Sequence, residues 1–522
     1  MRKKLFTTGI ALVSFLNMYA GGLLTNTNQN VAFLRNPARG ASIEIDAVYS
    51  NPAGLAFLKG EGLFLSLNNQ SAFQTRTITA DFAPFAGFGG SAVKAFEGKA
   101  KAPFIPSLQA AYKTDRWVFS GSFAIVGGGG TAVFDNGLPS FESQVAGNLA
   151  AISSAARIPT DYALDSRLEG TQIIYGIQLG ATYAIGDNLS AFLGGRANIV
   201  KNGYEGYLRN VQISAKDNLT NYFNTAAATA NAAAASLQPA VAAGFGDMSM
   251  SQLVAAGAIP QAQLDQIAAG LGRTSEEVGT STVNQVIGTF TGLAQQAAGA
   301  VAGINQLSAL DMQLNCKQSG LGFTPIIGFD FRYDKLNVGL KYEFKTAMEL
   351  TNKTTTNTTG VADFNDGAKT PYDIPALLTA GAQYDIIPQM TVSVGYHHFF
   401  DSDAKMANNK QQYINGGINE YLAGVEYRID DMYLVSCGTQ IARTGVTDNY
   451  QADLSYSLST VSFGFGGAVN ITKNIRINLA YFFTNYDKWT KKSDNYNGTG
   501  IAGTDTFSRT NQSFGIGLDY KF

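Results

Sequence analysis

His397 and His398 are the only histidines in the chain. Adjacent residues of a strand face opposite sides, so the two cannot converge on one metal ion. Gly127, Gly128, Gly129 and Gly130 have the backbone freedom of a phosphate loop, but no Lys-Ser or Lys-Thr follows and no helix opens there. No spacing of Ser, His and Asp suggests a nucleophile, no cofactor is implied, and the chain reads as a non-enzyme. Cys316 and Cys437 are too few for a disulfide framework. A bridge between them is disfavoured, because strand registry sets both positions and a bridge needs close Cα atoms. The chemistry that remains is recognition. Arg196, Arg332 and Lys341 are cations that could pair with a carboxylate head. Phe192, Phe399 and Phe482 share the polar parity of their segments and could meet an apolar tail, or could equally pack against protein folded inside.

These residues lie in segments of strict alternation. The chain ends "SFGIGLDYKF", with Phe514, Ile516, Leu518, Tyr520 and Phe522 on one parity. The same pattern recurs at Leu336 to Phe344, at Ile475 to Tyr481 and along most of the chain, with charges on one face only. Charged residues make up 15%, against about a quarter in soluble domains. No apolar run after residue 20 approaches the roughly 18 to 20 residues of a membrane helix, and mean hydropathy is -0.01. Few apolar segments are left to cover the greasy faces, so lipid is the expected cover.

Connections fall into two alternating classes. Short turns sit near Asp115, Asp187, Asp334, Pro388, Asp430 and Lys473. Long connections lie at about residues 75 to 103, 127 to 170, 204 to 319, 346 to 372, 401 to 417, 443 to 454 and 485 to 507. The alternation predicts an all-β transmembrane fold: a 14-stranded antiparallel outer-membrane barrel with short turns in the periplasm of a Gram-negative cell. Phe522 then reads as the assembly signal seen by the barrel-insertion machinery. Net charge is -2 with no dense basic cluster, so nucleic acid is not an expected partner.

The amino-terminal residues read as a secretory signal over 1–20, with Arg2, Lys3 and Lys4 ahead of an apolar stretch. Residues 21–60 lack a spanning alternation but carry Val31, Phe33, Leu34, Val48 and Leu55, as a hatch folded into the lumen would. A fourteen-strand barrel is too wide for side chains alone to close. Residues 61–522 form the barrel, interrupted by an Ala-rich, helix-favouring insertion at about 205–318. Leu237, Val241, Leu253, Ile259, Leu264, Ile267 and Leu271 give that insertion an apolar face suited to a helical cap.

Two marks in the hatch, Asn36-Pro37-Ala38 and Asn51-Pro52-Ala53, precede the first strand. "YSNPAGLAFLKG" (Tyr49 to Gly60), "APFIPSLQAAYKTDRWVFSGSFAIVGGGGTAVFDNG" (Ala102 to Gly137) and "DIPALLTAGAQYDI" (Asp373 to Ile386) resemble the FadL/TodX family of outer-membrane hydrophobic-compound transporters. "NTNQNVAFLRNPARGAS" (Asn26 to Ser42) is similar to Bacteroidetes versions. The resemblance implies uptake of long-chain fatty acids or other hydrophobic compounds. It implies a hatch motif at Asn51, Pro52 and Ala53, and exit by lateral diffusion into outer-membrane lipid through a kink at Gly127 to Gly130. A monomer is expected. Some Bacteroidetes members of the family are adaptor or shuttle barrels of type IX protein secretion, which is the alternative reading. The insertion is the largest departure from the family pattern.

Overall fold

The computed structural model describes residues 25–522, and the expected signal, residues 1–20, lies outside the described residues. Seventeen hydrogen-bonded segments form one antiparallel sheet, in which three short segments continue the path of a neighbour, leaving fourteen wall strands. In chain order they are β1 (Gly62–Phe82), β2 (Val93–Thr114), β3 (Trp117–Phe134), β4 (Tyr162–Ala184), β5 (Leu189–Ile213) and β6 (Met312–Tyr333). There follow β7 (Leu336–Glu343, continued by Glu349–Asn357), β8 (Lys369–Pro371, continued by Leu377–Ile387), β9 (Met390–Phe399) and β10 (Ile418–Arg428). The wall is completed by β11 (Tyr433–Arg443), β12 (Thr460–Asn470), β13 (Ile475–Tyr486, continued by Trp489–Ser493) and β14 (Gly503–Lys521). β1 pairs with β14 from Phe64 and Lys521 to Phe82 and Gly503, which closes the barrel and removes free edges from the hydrocarbon. The N–H of Phe522 donates to the Leu63 carbonyl at 2.8 Å, so the end of the chain is zipped to its first strand.

Asp115 and Asp334 occupy the left-handed region, with φ of 45° and 50°, in the two-residue turns after β2 and β6. Tight hairpins need such residues to follow the twist of the strands. Tyr112, Trp117, Tyr333, Tyr384, Tyr427 and Tyr433 are exposed near these short turns, as an interfacial aromatic girdle would be. Between the girdle and the outer side, Leu179, Leu193, Leu321, Phe323 and Ile516 face outward with more than half their surface exposed.

The wall is uneven in height. β5 runs 25 residues and β4 runs 23, whereas β9 runs 10 and β10 to β12 run 11 each. A tilted spanning strand needs about 9 to 11 residues, so β4 and β5 rise far above the bilayer. This revises the expected connections: β1 continues to Phe82 and β2 begins at Val93, where the alternation suggested a loop over 75 to 103. Above the hydrocarbon neither face needs lipid-compatible side chains, so the apolar period disappears while the ladder persists. For the same reason β5 continues to Ile213 and β6 begins at Met312.

Inside the barrel, residues 25–58 carry two short helices, α1 (Val31–Arg35) and α2 (Ala47–Ser50), and a 3-10 turn at Pro52–Phe57. On the outer side, α3 (Pro139–Ala156) joins β3 to β4. Between β5 and β6 lie α4 (Lys216–Ser236), α5 (Gln238–Ala242), α6 (Met250–Ala255), α7 (Gln261–Gly270), α8 (Ser275–Gly279) and α9 (Val283–Ser308). Capping boxes at Ser249 and Gln252, Thr274 and Glu277, and Thr282 and Gln285 start α6, α8 and α9. Leu237, Leu253, Leu264, Ile267 and Phe290 form the core of the distal helices. A separate cluster, including Leu149, Leu219, Ile304, Leu458 and Phe507, packs the roots of α3, α4 and α9 against the barrel mouth. Cys316 and Cys437 are free, the first buried and the second exposed on the outer face.

Candidate functional site

The luminal segment is pinned to the wall at both Asn-Pro-Ala marks. Asn36 Nδ2 donates to Ser393 Oγ of β9 at 3.1 Å, and Asn36 Oδ1 accepts the N–H of Ala38 at 3.2 Å. Gly424 of β10 permits this approach, since a Cβ there would lie 2.0 Å from Asn36 Oδ1. At the second mark, Asn51 Nδ2 donates to the Phe329 carbonyl at 3.1 Å and to Asp330 Oδ2 at 3.2 Å, both on β6. Thr182 of β4 and Ser190 of β5 donate to the carbonyls of Pro52 and Ala53, each at 2.7 Å. Pro52 opens the 3-10 turn, where its missing N–H has no partner to lose. Ala53 is fully buried against Phe192 and Ile326.

Charged side chains tie the segment to the wall nearer the short turns. Arg35, fully buried, pairs with Glu426 of β10 and donates to Ser436 Oγ at 2.8 Å. Arg39 reaches the same Glu426 at 3.0 Å and Asp46 at 2.7 Å, while Glu44 pairs with Arg476 of β13 at 2.8 Å. A second cluster surrounds Tyr49. Glu343 of β7 pairs with Arg196 and with Lys341, the latter at 2.6 Å, and Lys341 Nζ also donates to the Tyr49 carbonyl at 2.8 Å. Both cations lie over the Tyr49 ring, 5.5 and 5.1 Å from its centre.

The ladder between β2 and β3 is interrupted, as is the one between β6 and β7 from Gly320 to Pro325. β2 and β3 are hydrogen bonded from Ser107 and Ala124 to Thr114 and Trp117, and again from Gly98 and Phe134 to Ala100 and Ala132. Between these ladders, Lys101–Pro106 of β2 and Ile125–Thr131 of β3 have no pairing with each other. β3 keeps its ladder to β4 through register shifts between Ile125 and Gly127 and between Gly128 and Gly130. These bulges turn the strand away from β2. Gly128 and Gly130 adopt φ of 82° and 86°, and a Cβ on Gly128 would lie 2.1 Å from the Gln172 carbonyl. The opposite lip carries Pro103 and Pro106, which have no N–H to offer a ladder. Phe104, Phe73 and Phe123 flank the gap on the outer face and are exposed.

The start of the luminal segment lines the inner side of this gap. Thr25 forms an antiparallel bridge with Gly127, the N–H of Asn26 donates to the Val126 carbonyl at 2.9 Å, and Asn26 Nδ2 donates to the Gly128 carbonyl at 2.9 Å. On the other lip, Ser107 Oγ donates to the Gln29 carbonyl at 2.6 Å and Asn30 Nδ2 to Gln109 Oε1 at 2.7 Å. Tyr49 OH donates to the Asn26 carbonyl at 3.1 Å, linking this cover to the Glu343 cluster.

The residues singled out from sequence are thus dispersed. Phe192, Arg196 and Lys341 gather around Ala53 and Tyr49. Phe482 packs on Phe33 of α1, with ring centres 6.2 Å apart. Phe399 is buried on β9, and Arg332 borders a cavity of about 410 Å³ at the short-turn end together with Arg39, Glu44 and Asp519. Gly127 to Gly130 lie on the unpaired lip of β3. Sequence reasoning passed over Pro103, Pro106, Thr25 and Asn26. Two prolines inside an alternating segment, level with a glycine run on the next strand, were the available signal.

No protein-family model and no curated protein matches the chain. Among solved structures, a Pseudomonas aeruginosa FadL homologue superposes with a TM-score of 0.56 at 13% identity, covering 96% of this chain and 100% of that one. The Pseudomonas putida toluene transporter TodX gives 0.50 at 14% identity, again covering 96% and 100%. A deltaS2S3 mutant of the monoaromatic hydrocarbon channel TodX gives 0.51 at 13% identity, with the same coverages. At these identities the likeness is one of fold: a closed 14-strand antiparallel barrel of the FadL type.

Proposed function

We propose that this chain is an outer-membrane channel for hydrophobic compounds, long-chain fatty acids among them, which leave the lumen sideways into the bilayer between β2 and β3. The interrupted ladder between Ala100 and Ser107 carries the reading, because it opens the wall where apolar residues face lipid. An alkyl tail costs about 0.8 kcal/mol per CH2 to expose to water, so a sixteen-carbon chain leaving through the periplasmic end would meet a barrier above ~10 kcal/mol. The polar, ion-paired floor around Glu426 and Arg476 adds nothing to lower it. A sideways exit keeps the tail in contact with apolar surface throughout. The segment from Thr25 to Asn30 acts as the movable cover, held by a handful of hydrogen bonds to the two lips. TodX, a structural relative, is described as a toluene transporter, which accords with cargo of this class. The reading carries with it export through residues 1–20, residence in the outer membrane of a Gram-negative cell, insertion through Phe522, and a monomeric barrel.

The test is a reversible lock. Thr25→Cys with Gly127→Cys, in a Cys316→Ser, Cys437→Ser background, places two thiols across an antiparallel bridge. Oxidation should reduce uptake of labelled oleate by cells several-fold, and a reductant should restore it. Undiminished uptake through a fully cross-linked barrel would overturn the lateral route.

A further inference from the structure

Four lysines stand together on the outer face of neighbouring strands. Lys201 of β5, Lys317 of β6, Lys353 in the continuation of β7 and Lys369 of β8 are all exposed. Their outward direction follows from the residues beside them, since Asn202, Cys316, Gln318 and Asn352 are buried on the luminal parity. Lys317 is directly opposite Lys353, which starts the two side chains about 5 Å apart. Lys201 and Lys369 belong to the row beneath, through Ser319 and Thr351, and lie about 7 to 8 Å from the central pair on the diagonals.

Like charges directly opposed across a ladder repel unless something lies between them. Among the described residues Lys201, Lys317 and Lys353 form no ion pair, and Lys369 meets only Glu349, at 3.9 Å with both side chains open to solvent. Asp366 is taken by the N–H of Thr354 at 2.9 Å, and Glu205, higher on β5, lies opposite Asn315 and Glu169. From Tyr333 in the girdle to Lys317, β6 climbs about 40 Å, at about 3.3 Å per residue and the tilt of a barrel strand, whereas the apolar band is about 25 Å tall. The lysines are therefore level with the head groups of the outer leaflet, on flexible stems that reach down along apolar surface. Directly beneath them Leu321 and Phe323 expose 70% and 62% of their surface. There β6 and β7 part, and Thr346 turns inward to bridge with Ile374. A Cβ on Gly322 would collide with Thr346 Cγ2, and one on Gly320 would lie 2.6 Å from Leu350 Cδ2, so the break is sealed from the lumen and faces lipid alone.

We propose that this face is a seat for a phosphorylated lipid of the outer leaflet. Lys201, Lys317, Lys353 and Lys369 hold a phosphate of its head group, and an acyl chain lies along the break between β6 and β7. A phosphate between Lys317 and Lys353 accepts charge-assisted hydrogen bonds from both and cancels their repulsion, which no side chain of the wall does. Lysine serves a phosphate as a point charge on a mobile stem, which suits a head group that shifts within its leaflet. None of the four borders the gap between β2 and β3. The inference rests on residence of the barrel in an outer membrane and is independent of what the lumen carries.

The experiment measures binding of lipid A, a phosphorylated glycolipid, to the purified full chain in nonionic detergent, beside the same lipid A stripped of its phosphates by a phosphatase. The native protein should hold the phosphorylated form at least about ten-fold tighter, as hydrogen bonds to a charged group imply. Lys317→Gln with Lys353→Gln should bring the two forms within about two-fold, whereas Lys317→Arg with Lys353→Arg should keep the preference. Binding of the stripped lipid at native strength reports that both variants are folded. A native ratio near one, a ratio that survives the glutamine pair, or displacement of lipid A by millimolar inorganic phosphate would overturn the seat. Each of these leaves the sideways channel standing, because no step of that route passes these lysines.

Discussion

Arg35 in α1 and Glu426 on β10 stand 391 residues apart in the chain and form an ion pair inside the barrel. Glu426 also receives Arg39, so one wall carboxylate pairs with two cations of the luminal segment, the second of which it shares with Asp46. Removing one member of a buried pair costs roughly 3 to 5 kcal/mol, because the charge left behind has no compensation. Glu426→Gln should therefore loosen residues 31–42 and speed their amide exchange by orders of magnitude, with little change in the wall strands. Glu44→Gln should have a smaller effect, since Arg39 keeps Asp46 at 2.7 Å. Equal exchange in native protein and the Glu426→Gln variant would refute this account of what holds the segment.

The two lips of the gap should respond in opposite ways to substitution. Gly128→Ala forces a side chain into the Gln172 carbonyl at positive φ, so it should lower the unfolding temperature and the yield of assembled barrel. Pro103→Ala with Pro106→Ala returns two N–H donors to β2, which lets the ladder extend. Thermal stability should hold or rise in that variant while uptake of the hydrophobic cargo falls. Unchanged uptake with a demonstrably longer ladder would show that the gap is not the route.

Cys316 and Cys437 serve as native reporters of inside and outside. A lipid-soluble maleimide should label Cys437, which faces outward from β11, and spare Cys316, buried on the luminal side of β6. A membrane-impermeant maleimide should label neither before denaturation. Rapid labelling of Cys316 in the folded protein would contradict the orientation of β6.

The outer loop between β9 and β10 should be sensitive to pH. Burial raises the Asp401 carboxyl to about 7, the N–H of Ile418 works against that shift through a 3.0 Å hydrogen bond, and Glu420 adds to it. Glu420 is itself partnered by His397 at 2.8 Å. The folded loop thus keeps a proton that an unfolded chain gives up near pH 4, so stability declines as pH rises from about 4 to about 7 and then levels off. Protease resistance of residues 400–417 should be greater at pH 5 than at pH 8, and Asp401→Asn should flatten the difference. A resistance that rises with pH would reverse the assigned sign.

Alternation made the wall legible wherever lipid covers one face, as along Ile475 to Tyr481 and Leu336 to Phe344, because there the side chain must match the solvent. It was silent above the bilayer, where β1 and β5 continue as ladders with no apolar period to mark them. The glycine run of β3 stood out, yet its meaning depends on which residues of β2 lie level with it, and register is a property of two strands together. The cations on β5 and β7 were visible as inward charges, but Glu343, which occupies both, differs from a free acid only through its neighbours.

Because the β2 and β3 ladder resumes at Gly98 to Ala100 above the gap, the opening is a window with a lintel rather than a slit that runs to the rim. Six residues of β2, at about 3.3 Å each, set its height near 20 Å, and neither end can shift without unzipping paired strands. Width is the dimension left free to breathe. On the proposed sideways route, width rather than height would therefore be the dimension that admits or rejects cargo, whatever the length of its chain.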